Sequence, residues 1–143
     1  MRVRIEVATS GAQIDQALAL RTAVFVDEQG VSPAEEIDGL DDQATHLVAL
    51  DGEEVVATCR LLPDGTTIKL GRMVVAKERR REGIAAELLR VADHESKALG
   101  AEEIHLSAQS YAVALYEQAG YVAYGEPFPD AGIEHIWMSK QLA

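Results

Sequence analysis

Basic residues, cysteine and aromatic residues are all scarce in this chain. Lysine and arginine number 13 against 24 aspartates and glutamates, which gives a formal net charge of -11. Nucleic acid is therefore disfavoured as the main partner, because binding a phosphate backbone requires a basic surface. The acidic field instead favours cationic ligands, and solubility alone accounts for it equally well.

A single cysteine, Cys59, excludes an internal disulfide framework. It lies in an apolar, strand-like run, which favours a small buried side chain over a nucleophile. No run approaches the roughly 20 apolar residues that span a bilayer, and no signal-like apolar core follows Met1 to Arg4. We therefore expect a cytoplasmic protein without a membrane partner. The chain has 143 residues, enough for one domain, 1–143, with a hydrophobic core.

Apolar alternation and turn residues divide the chain into strand-like and helix-like segments. Asp51-Gly52 and Asp64-Gly65 predict the turns of a three-stranded antiparallel meander. Ser10 and Gln13 form a capping-box pattern at the start of a first helix. The predicted strands are 3–7, 46–50, 55–62, 68–76, 104–108, 121–124 and 133–139. Helices are predicted over 10–29, 82–99 and 110–119, the last capped by Ser110, and loops over 32–43 and 125–132.

A strand, a helix and a returning strand follow one another over 68–108. Such a crossover is right-handed and makes its two strands parallel. The other strands are joined by short turns, which favours antiparallel pairing. We therefore expect the α/β (α+β) class, with a mixed, mostly antiparallel sheet of about seven strands flanked by helices.

The junction between strand 68–76 and the next helix is the clearest candidate site. Lys77 and Arg79 to Arg81 form a basic cluster in an acidic chain, and Gly83 follows. The first N–H groups of a helix bind anions, and a glycine lets a phosphate approach the backbone closely. On spacing alone, a solvated charged turn is the commoner interpretation. The chain has no G-x-x-x-x-G-K-[ST] P-loop and no G-x-G-x-x-G fingerprint.

Two blocks of the sequence together resemble a known family. Arg80-Arg81-Glu82-Gly83-Ile84-Ala85 resembles the R/Q-x-x-G-x-G/A signature of the GNAT superfamily of N-acetyltransferases. The segment from Ala114 to Tyr121 is similar to the family's A-x-x-[FL]-Y-x-x-x-G-[FY] ending, and Gly71 to Val75 resembles its fourth strand. A further resemblance, to the ElaA-like branch of the superfamily, is carried by residues 24–29, 35–38 and His46. The resemblance covers nearly the whole chain.

The resemblance implies an enzyme that transfers an acetyl group from acetyl-CoA, its co-substrate, to a primary amine by direct attack on the thioester, without a metal. It also implies that the two central parallel strands splay apart and admit the pantetheine arm. Backbone N–H groups of Met73, Val74 and Val75 would hold that arm and polarise the carbonyl. The diphosphate would bind the turn formed by Arg80, Arg81, Glu82, Gly83, Ile84 and Ala85.

Tyr116 is the catalytic candidate, because the resemblance implies a position near the sulfur atom. A phenol there can donate a proton to the departing thiolate. On helical spacing alone, with Ala112, Leu115 and Ala119 around it, a core residue is the commoner interpretation. With the resemblance, we favour the acid role.

Several residues are candidates for the group that takes the proton from the amine. Some GNAT members carry a glutamate on the fourth strand, whereas this chain has Arg72 and no acid between Lys69 and Lys77. The remaining candidates could act as the base, bind a cationic acceptor or lie on loop surface: Glu28, Glu36, Asp38, His46 and His135.

We expect four residues in the acceptor pocket, namely Glu28, Glu36, Arg72 and His135. Arg72 could bind an acceptor carboxylate or pair with one of the acids. The acceptor itself would be a small-molecule amine, a peptide N-terminus or a lysine. Similar folds commonly form dimers, so a homodimer is one expected state.

The missing strand glutamate keeps a second class of function open. A non-catalytic acyl-CoA sensor or interaction domain would bind the coenzyme without turnover. A nucleotide-binding domain is disfavoured, because no magnesium-binding signature accompanies the basic turn.

Overall fold

The computed structural model describes residues 3–142. Its strands are β1 Arg4–Val7, β2 Thr45–Asp51, β3 Glu54–Asp64, β4 Thr67–Val75, β5 Glu103–Gln109, β6 Val122–Asp130 and β7 Ile133–Gln141. Its α-helices are α1 Gly11–Arg21, α2 Pro33–Glu36, α3 Ile84–Ala98 and α4 Val113–Gln118. A π-helix at Thr22–Glu28 continues α1, and 3-10 turns lie at Asp41–Gln43, Lys77–Arg79 and Ser110–Ala112.

All seven strands form one sheet in the order β1-β2-β3-β4-β5-β7-β6. β4 and β5 are parallel and the other neighbours are antiparallel. The parallel pairing joins only Thr67 to Lys69 with Glu103 to His105, so the two strands separate beyond Lys69. The predicted mixed sheet with a splayed central pair is confirmed.

Helices cover both faces of the sheet. On one face α3 buries Ile84, Leu88, Leu89 and Ala92, which recur at helical spacing and form its apolar side. On the other face, Ala17 of α1 packs on apolar residues of β2 and β3. Within residues 3–142, none of the helices has both the length and the apolar character that crossing a membrane requires.

The first helix begins with the predicted capping box, in which Ser10 accepts from the Gln13 N–H and the Gln13 side chain accepts from the Ser10 N–H. Beyond Thr22 it widens into the π-helix, which apolar periodicity does not distinguish from an α-helix. The change is visible where the Gln29 N–H bonds to the carbonyl of Val24, five residues back. π-Helical segments often lie at functional sites.

Two local predictions were wrong. Ser110 does not cap a helix, because its hydroxyl donates to the Glu134 carbonyl and α4 begins only at Val113. Residues 125–130 are not loop, because β6 continues to Asp130 after a register shift that follows Tyr124. β6 is an edge strand, where prolines are tolerated because half of the N–H groups need no partner.

Candidate active site

A cleft of about 750 Å³ opens where β4 and β5 separate. Its walls come from β4, β5, the start of α3, α4, the π-helix, the end of β6 and the start of β7. Most of the predicted site residues line it: Glu28, Arg72, Met73, Val74, Val75, Arg80, Arg81, Gly83, Ile84, Ala85, Tyr116 and His135. The side chains of Glu36 and Glu82 lie outside it.

The start of α3 faces the cleft with its backbone N–H groups uncapped. Gly83 is the N-cap, with a φ of 84° that favours glycine, and an added Cβ would meet nothing within 4 Å. Among the described residues no side chain bonds to this helix start. The N–H groups of Ile84, Ala85 and Ala86 therefore lack intrahelical partners, the arrangement that binds anions.

The three arginines of the turn have different neighbours. Arg79 is buried and pairs with Asp51 at 2.9 Å and with Glu82 at 3.3 Å, so the Glu82 carboxylate is turned away from the cleft. Arg80 bonds to Glu28. Arg81 lines the cleft and forms no ion pair within residues 3–142. Its charge is the one of the three that is available to an anionic ligand.

The sequence could not show that β4 is bulged at the cleft. Thr58 pairs with Val74 and Arg60 with Gly71, so two residues of β4, Arg72 and Met73, oppose a single residue of β3. Arg72 has a φ of 54°, which is strained for a residue with a side chain. A bulge leaves a residue without its ladder partner. Beyond Lys69, β4 also has no strand partner on its β5 side.

Tyr116 lies on α4 and lines the cleft, although only 7% of it is exposed. Its ring meets Tyr121 edge-on, with 5.8 Å between centroids. Burial raises the pKa of the Tyr116 hydroxyl above its ordinary value, so the phenol stays protonated at neutral pH. Burial likewise raises the pKa of Cys59 to about 12, which leaves an inert thiol.

Glu28 and Arg80, predicted for acceptor and coenzyme respectively, bind each other. Both oxygens of Glu28 accept from the Arg80 guanidinium, at 3.0 and 2.9 Å. These hydrogen bonds lower the pKa of Glu28, which makes its carboxylate a weaker base. Arg80 also donates to the Val75 carbonyl, so the pair ties the π-helix to the turn.

Three arginines and three carboxylates form an ion-pair network beside the cleft. Glu36 is 3% exposed and accepts from Arg21 at 2.6 Å and from Arg72 at 3.0 Å. Hydrogen bonds from Arg60 hold the pKa of Asp38 far below its usual range. We call the set the arginine–acid network: Arg21, Glu36, Asp38, Asp41, Arg60 and Arg72.

The two candidate histidines differ in what their rings contact. His46 lies outside the cleft, with Nε2 bonded to the Asp41 carbonyl at 2.9 Å. His135 lines the cleft and is 8% exposed, with Nδ1 at 2.7 Å from the Ile133 carbonyl. Because a carbonyl only accepts, Nδ1 must carry the proton. A neutral His135 therefore keeps a lone pair on Nε2.

A pair of glutamines, not identified from the sequence, spans the cleft. Gln109, at the end of β5, donates to the side chain of Gln29 at 2.9 Å. Gln29 follows the π-helix, so the pair holds that segment across the gap between the splayed strands. The two residues are 80 positions apart, and no local pattern predicts their contact.

A smaller cavity of about 80 Å³, the side pocket, adjoins the cleft. Glu36 and Arg72 of the arginine–acid network line it, and so does Glu35. Five residues line both spaces: Phe25, Arg72, Gln109, Asp130 and His135. The predicted acceptor residues Glu36, Arg72 and His135 therefore meet here, whereas Glu28 lies only on the main cleft.

A sequence model of a protein family, described as the acetyltransferase (GNAT) domain, matches residues 10–142 of the chain. The chain belongs to the GNAT acetyltransferase family. This GNAT protein is accordingly an acyl-CoA-dependent enzyme, with acetyl-CoA as its co-substrate, as the resemblance implied.

Individual relatives agree with this assignment. The chain is 36% identical over 135 residues to YjcF of Bacillus subtilis, named an uncharacterized N-acetyltransferase, which covers 94% of this chain and 96% of YjcF. It is 30% identical over 145 residues to Escherichia coli ElaA, covering 93% of this chain and 90% of ElaA. The crystal structure of ElaA matches this GNAT protein with a TM-score of 0.86 over 97% of this chain and 99% of that one. The predicted ElaA-like character is confirmed.

A more distant match shares the fold. An aminoglycoside 6'-N-acetyltransferase crystallised with coenzyme A has a TM-score of 0.80 to this GNAT protein at 22% identity. The match covers 98% of this chain and 97% of that one. The same fold thus holds coenzyme A in that enzyme.

Proposed function

We propose that the chain acts as one acetyltransferase domain, which holds acetyl-CoA in the cleft and transfers the acetyl group to a primary amine. The observation that carries this proposal is the meeting of three features in one cleft. They are the uncapped start of α3, the bulge of β4 and Tyr116. Acetyl-CoA supplies an activated thioester, and the chain's own groups bind, polarise and move protons.

The turn before α3 would bind the diphosphate. The N–H groups of Ile84, Ala85 and Ala86 are free to donate, and Gly83 leaves room for close approach. Arg81 adds a charge that no acid of the described residues neutralises. The local positive field would attract an anion even though the whole chain is acidic.

The gap between β4 and β5 would bind the pantetheine arm. The β5 side of β4 carries backbone groups beyond Lys69 that pair with no strand. We assign N–H groups between Met73 and Val75 to the arm and to the thioester carbonyl. Donors fixed in place before the reaction stabilise the negative charge that develops on that oxygen.

Two side chains would move protons. The amine forms the new C–N bond while the C–S bond breaks, and Tyr116 donates its proton to the departing sulfur. Nε2 of His135 takes the proton that the amine loses. His135 suits this role because its Nδ1 is bound to Ile133 while Nε2 keeps its lone pair, whereas Glu28 is held by Arg80.

Replacing Tyr116 by phenylalanine tests the enzyme against the non-catalytic sensor. We expect Tyr116→Phe to lower kcat by about 100-fold, because general acid catalysis contributes at least that order. The affinity for acetyl-CoA should stay within about twofold, because the ring and its packing remain. Release of free CoA from acetyl-CoA and a primary amine gives the rate, and calorimetry gives the affinity.

Tyr121→Phe is the matched control. Tyr121 packs edge-on against Tyr116, and its hydroxyl is buried without a hydrogen bond among the described residues. Its removal should leave kcat unchanged. Wild-type protein that binds acetyl-CoA but acetylates no amine would refute the proposal in favour of the sensor.

A further inference from the structure

The side pocket is small, polar and continuous with the cleft. Its volume is about 80 Å³. A space of this size suits a few water molecules or a compact polar group. We therefore ask which compact group of a ligand could reach it from the cleft.

Two carboxylates without a cationic partner line this pocket. Asp130 lines both the pocket and the cleft, and it forms no ion pair with any residue of 3–142. Glu35 accepts a hydrogen bond from the Ser32 hydroxyl at 3.0 Å and likewise lacks a cation within that range. Glu28, on the main cleft, and Glu36 are both neutralised by arginines. The unpaired negative charge thus lies at the side pocket.

The one cation on the pocket wall is already engaged. Arg72 donates to Glu36 and Asp38 at 3.0 and 3.2 Å, and to the Glu36 carbonyl at 3.0 Å. Its charge is therefore shared with two acids of the arginine–acid network. A cationic ligand would replace water beside Asp130 and Glu35 without displacing an arginine.

His135 provides an independent indication of a ligand. The residue is 8% exposed, lines both spaces and makes its one hydrogen bond through Nδ1. Nε2 has no partner among residues 3–142. A largely buried imidazole on the wall of a polar cavity, with one ring nitrogen that makes no hydrogen bond among the described residues, can bind a ligand group.

Strand register fixes how far the backbones of His135 and Asp130 lie apart. On the β6–β7 hairpin Phe128 pairs with His135, and Asp130 pairs with Ile133. His135 and Asp130 therefore lie on one face as diagonal neighbours, a spacing of about 7–8 Å between backbones. A short flexible chain spans that distance.

We propose that the acceptor carries two amino groups joined by a short chain, and that the side pocket binds the second one as an ammonium. This inference rests on the proposed function. The reacting amine lies at His135, and its charged partner lies between Asp130 and Glu35. Short diamines and the ends of polyamines form the acceptor class.

The test compares two acceptors of equal length, diaminobutane with terminal amino groups and butylamine. A symmetric diamine has two reactive ends, which alone gives about a twofold advantage. We expect kcat/KM for the diamine to exceed that for butylamine by at least about 20-fold, since a hydrogen-bonded charge pair contributes tenfold or more beyond that. The preference should shrink as salt is added.

Two substitutions assign the preference to the pocket. Asp130→Asn should reduce the diamine-to-monoamine ratio about tenfold, mainly through KM of the diamine, and Glu35→Gln should reduce it less because Ser32 already binds that carboxylate. Glu126→Gln is the matched control, because Glu126 is exposed on the same strand and lines neither space. Thermal melting of each variant checks that it is folded.

The possible failures are distinguishable. Equal turnover of both amines, or a ratio that Asp130→Asn leaves unchanged, overturns the diamine inference alone. CoA release with other primary amines but with neither of these two likewise overturns the diamine inference alone. Absence of CoA release across a broad panel of primary amines overturns the proposed function and this inference with it. A ratio that falls in Asp130→Asn and persists in Glu126→Gln supports both.

Discussion

The five candidates for the group that accepts the amine proton differ in which of their side-chain atoms already form hydrogen bonds. They are Glu28, Glu36, Asp38, His46 and His135. The three acids accept from arginines at distances of 3.0 Å or less. Hydrogen bonds from arginines lower the pKa of Glu28 and of Asp38, which makes both carboxylates weaker bases, and Glu36 lies outside the cleft. The His46 ring bonds through Nε2 to a carbonyl away from the cleft, whereas the same nitrogen of His135 is free beside it. The proposal of His135 as proton acceptor follows from this difference.

Replacing His135 by glutamine should lower kcat/KM by about 100-fold with a strongly basic amine, because a protonated amine cannot attack. The loss should be much smaller with a weakly basic amine that is already neutral at the assay pH. CoA release measured with both amines checks this expectation.

His105→Gln is the control for that substitution, since His105 packs against Trp137 and does not line the cleft. Its rates should remain within about twofold of wild type. An equal loss with both amines in His135→Gln would contradict proton transfer and leave His135 a positioning role.

At the scale of elements, the arginine–acid network joins α2 and the loop after it to the bulged β4. The strained backbone of Arg72 costs on the order of 1–3 kcal/mol and persists only where the surroundings enforce it. Its side chain is bound by the carboxylate and the carbonyl of Glu36, each at 3.0 Å. Glu36 in turn is held by the fully buried Arg21. The network thus stabilises the strand geometry on which the proposed thioester site depends.

Glu36→Gln should therefore lower the free energy of unfolding by about 3–5 kcal/mol, because it leaves buried Arg21 with less compensating charge. The neighbouring Glu35→Gln removes an acid without an ion pair among the described residues and should change stability by less than about 0.5 kcal/mol. Urea denaturation of both variants measures the difference. A loss below about 1 kcal/mol in Glu36→Gln would mean that the network does not support the fold.

At the scale of the whole molecule, features formed by residues adjacent in the sequence could be predicted. Contacts between residues far apart in the sequence could not. Asp51-Gly52 and Asp64-Gly65 predicted the meander, and the arginines before Gly83 marked the turn that lines the cleft. The bulge depends on how Arg72 and Met73 face another strand, and the Glu28–Arg80 pair joins residues 52 positions apart. Pro127 and Pro129 predicted a loop, yet their place on an edge strand permits β6 to continue.

The net charge of -11 also has a spatial pattern that composition does not reveal. Arg81 and the start of α3 place positive charge on the wall of the cleft, while Asp130 and Glu35 place unpaired negative charge on the wall of the side pocket. An anionic coenzyme and a cationic acceptor would therefore enter a site that is polarised in the matching direction. We propose that this charge pattern brings the two ligands into the site in one orientation.

The most direct test of that claim follows the backbone amide resonances of isotope-labelled protein as coenzyme A is added. We predict the largest shifts at Gly83, Ile84, Ala85 and Ala86, with a second group at Met73 to Val75. Acetyl-pantetheine, which lacks the diphosphate, should shift the second group and leave the first in place. Shifts confined to other surfaces, or amides of Gly83 to Ala86 that do not respond to coenzyme A, would contradict the account.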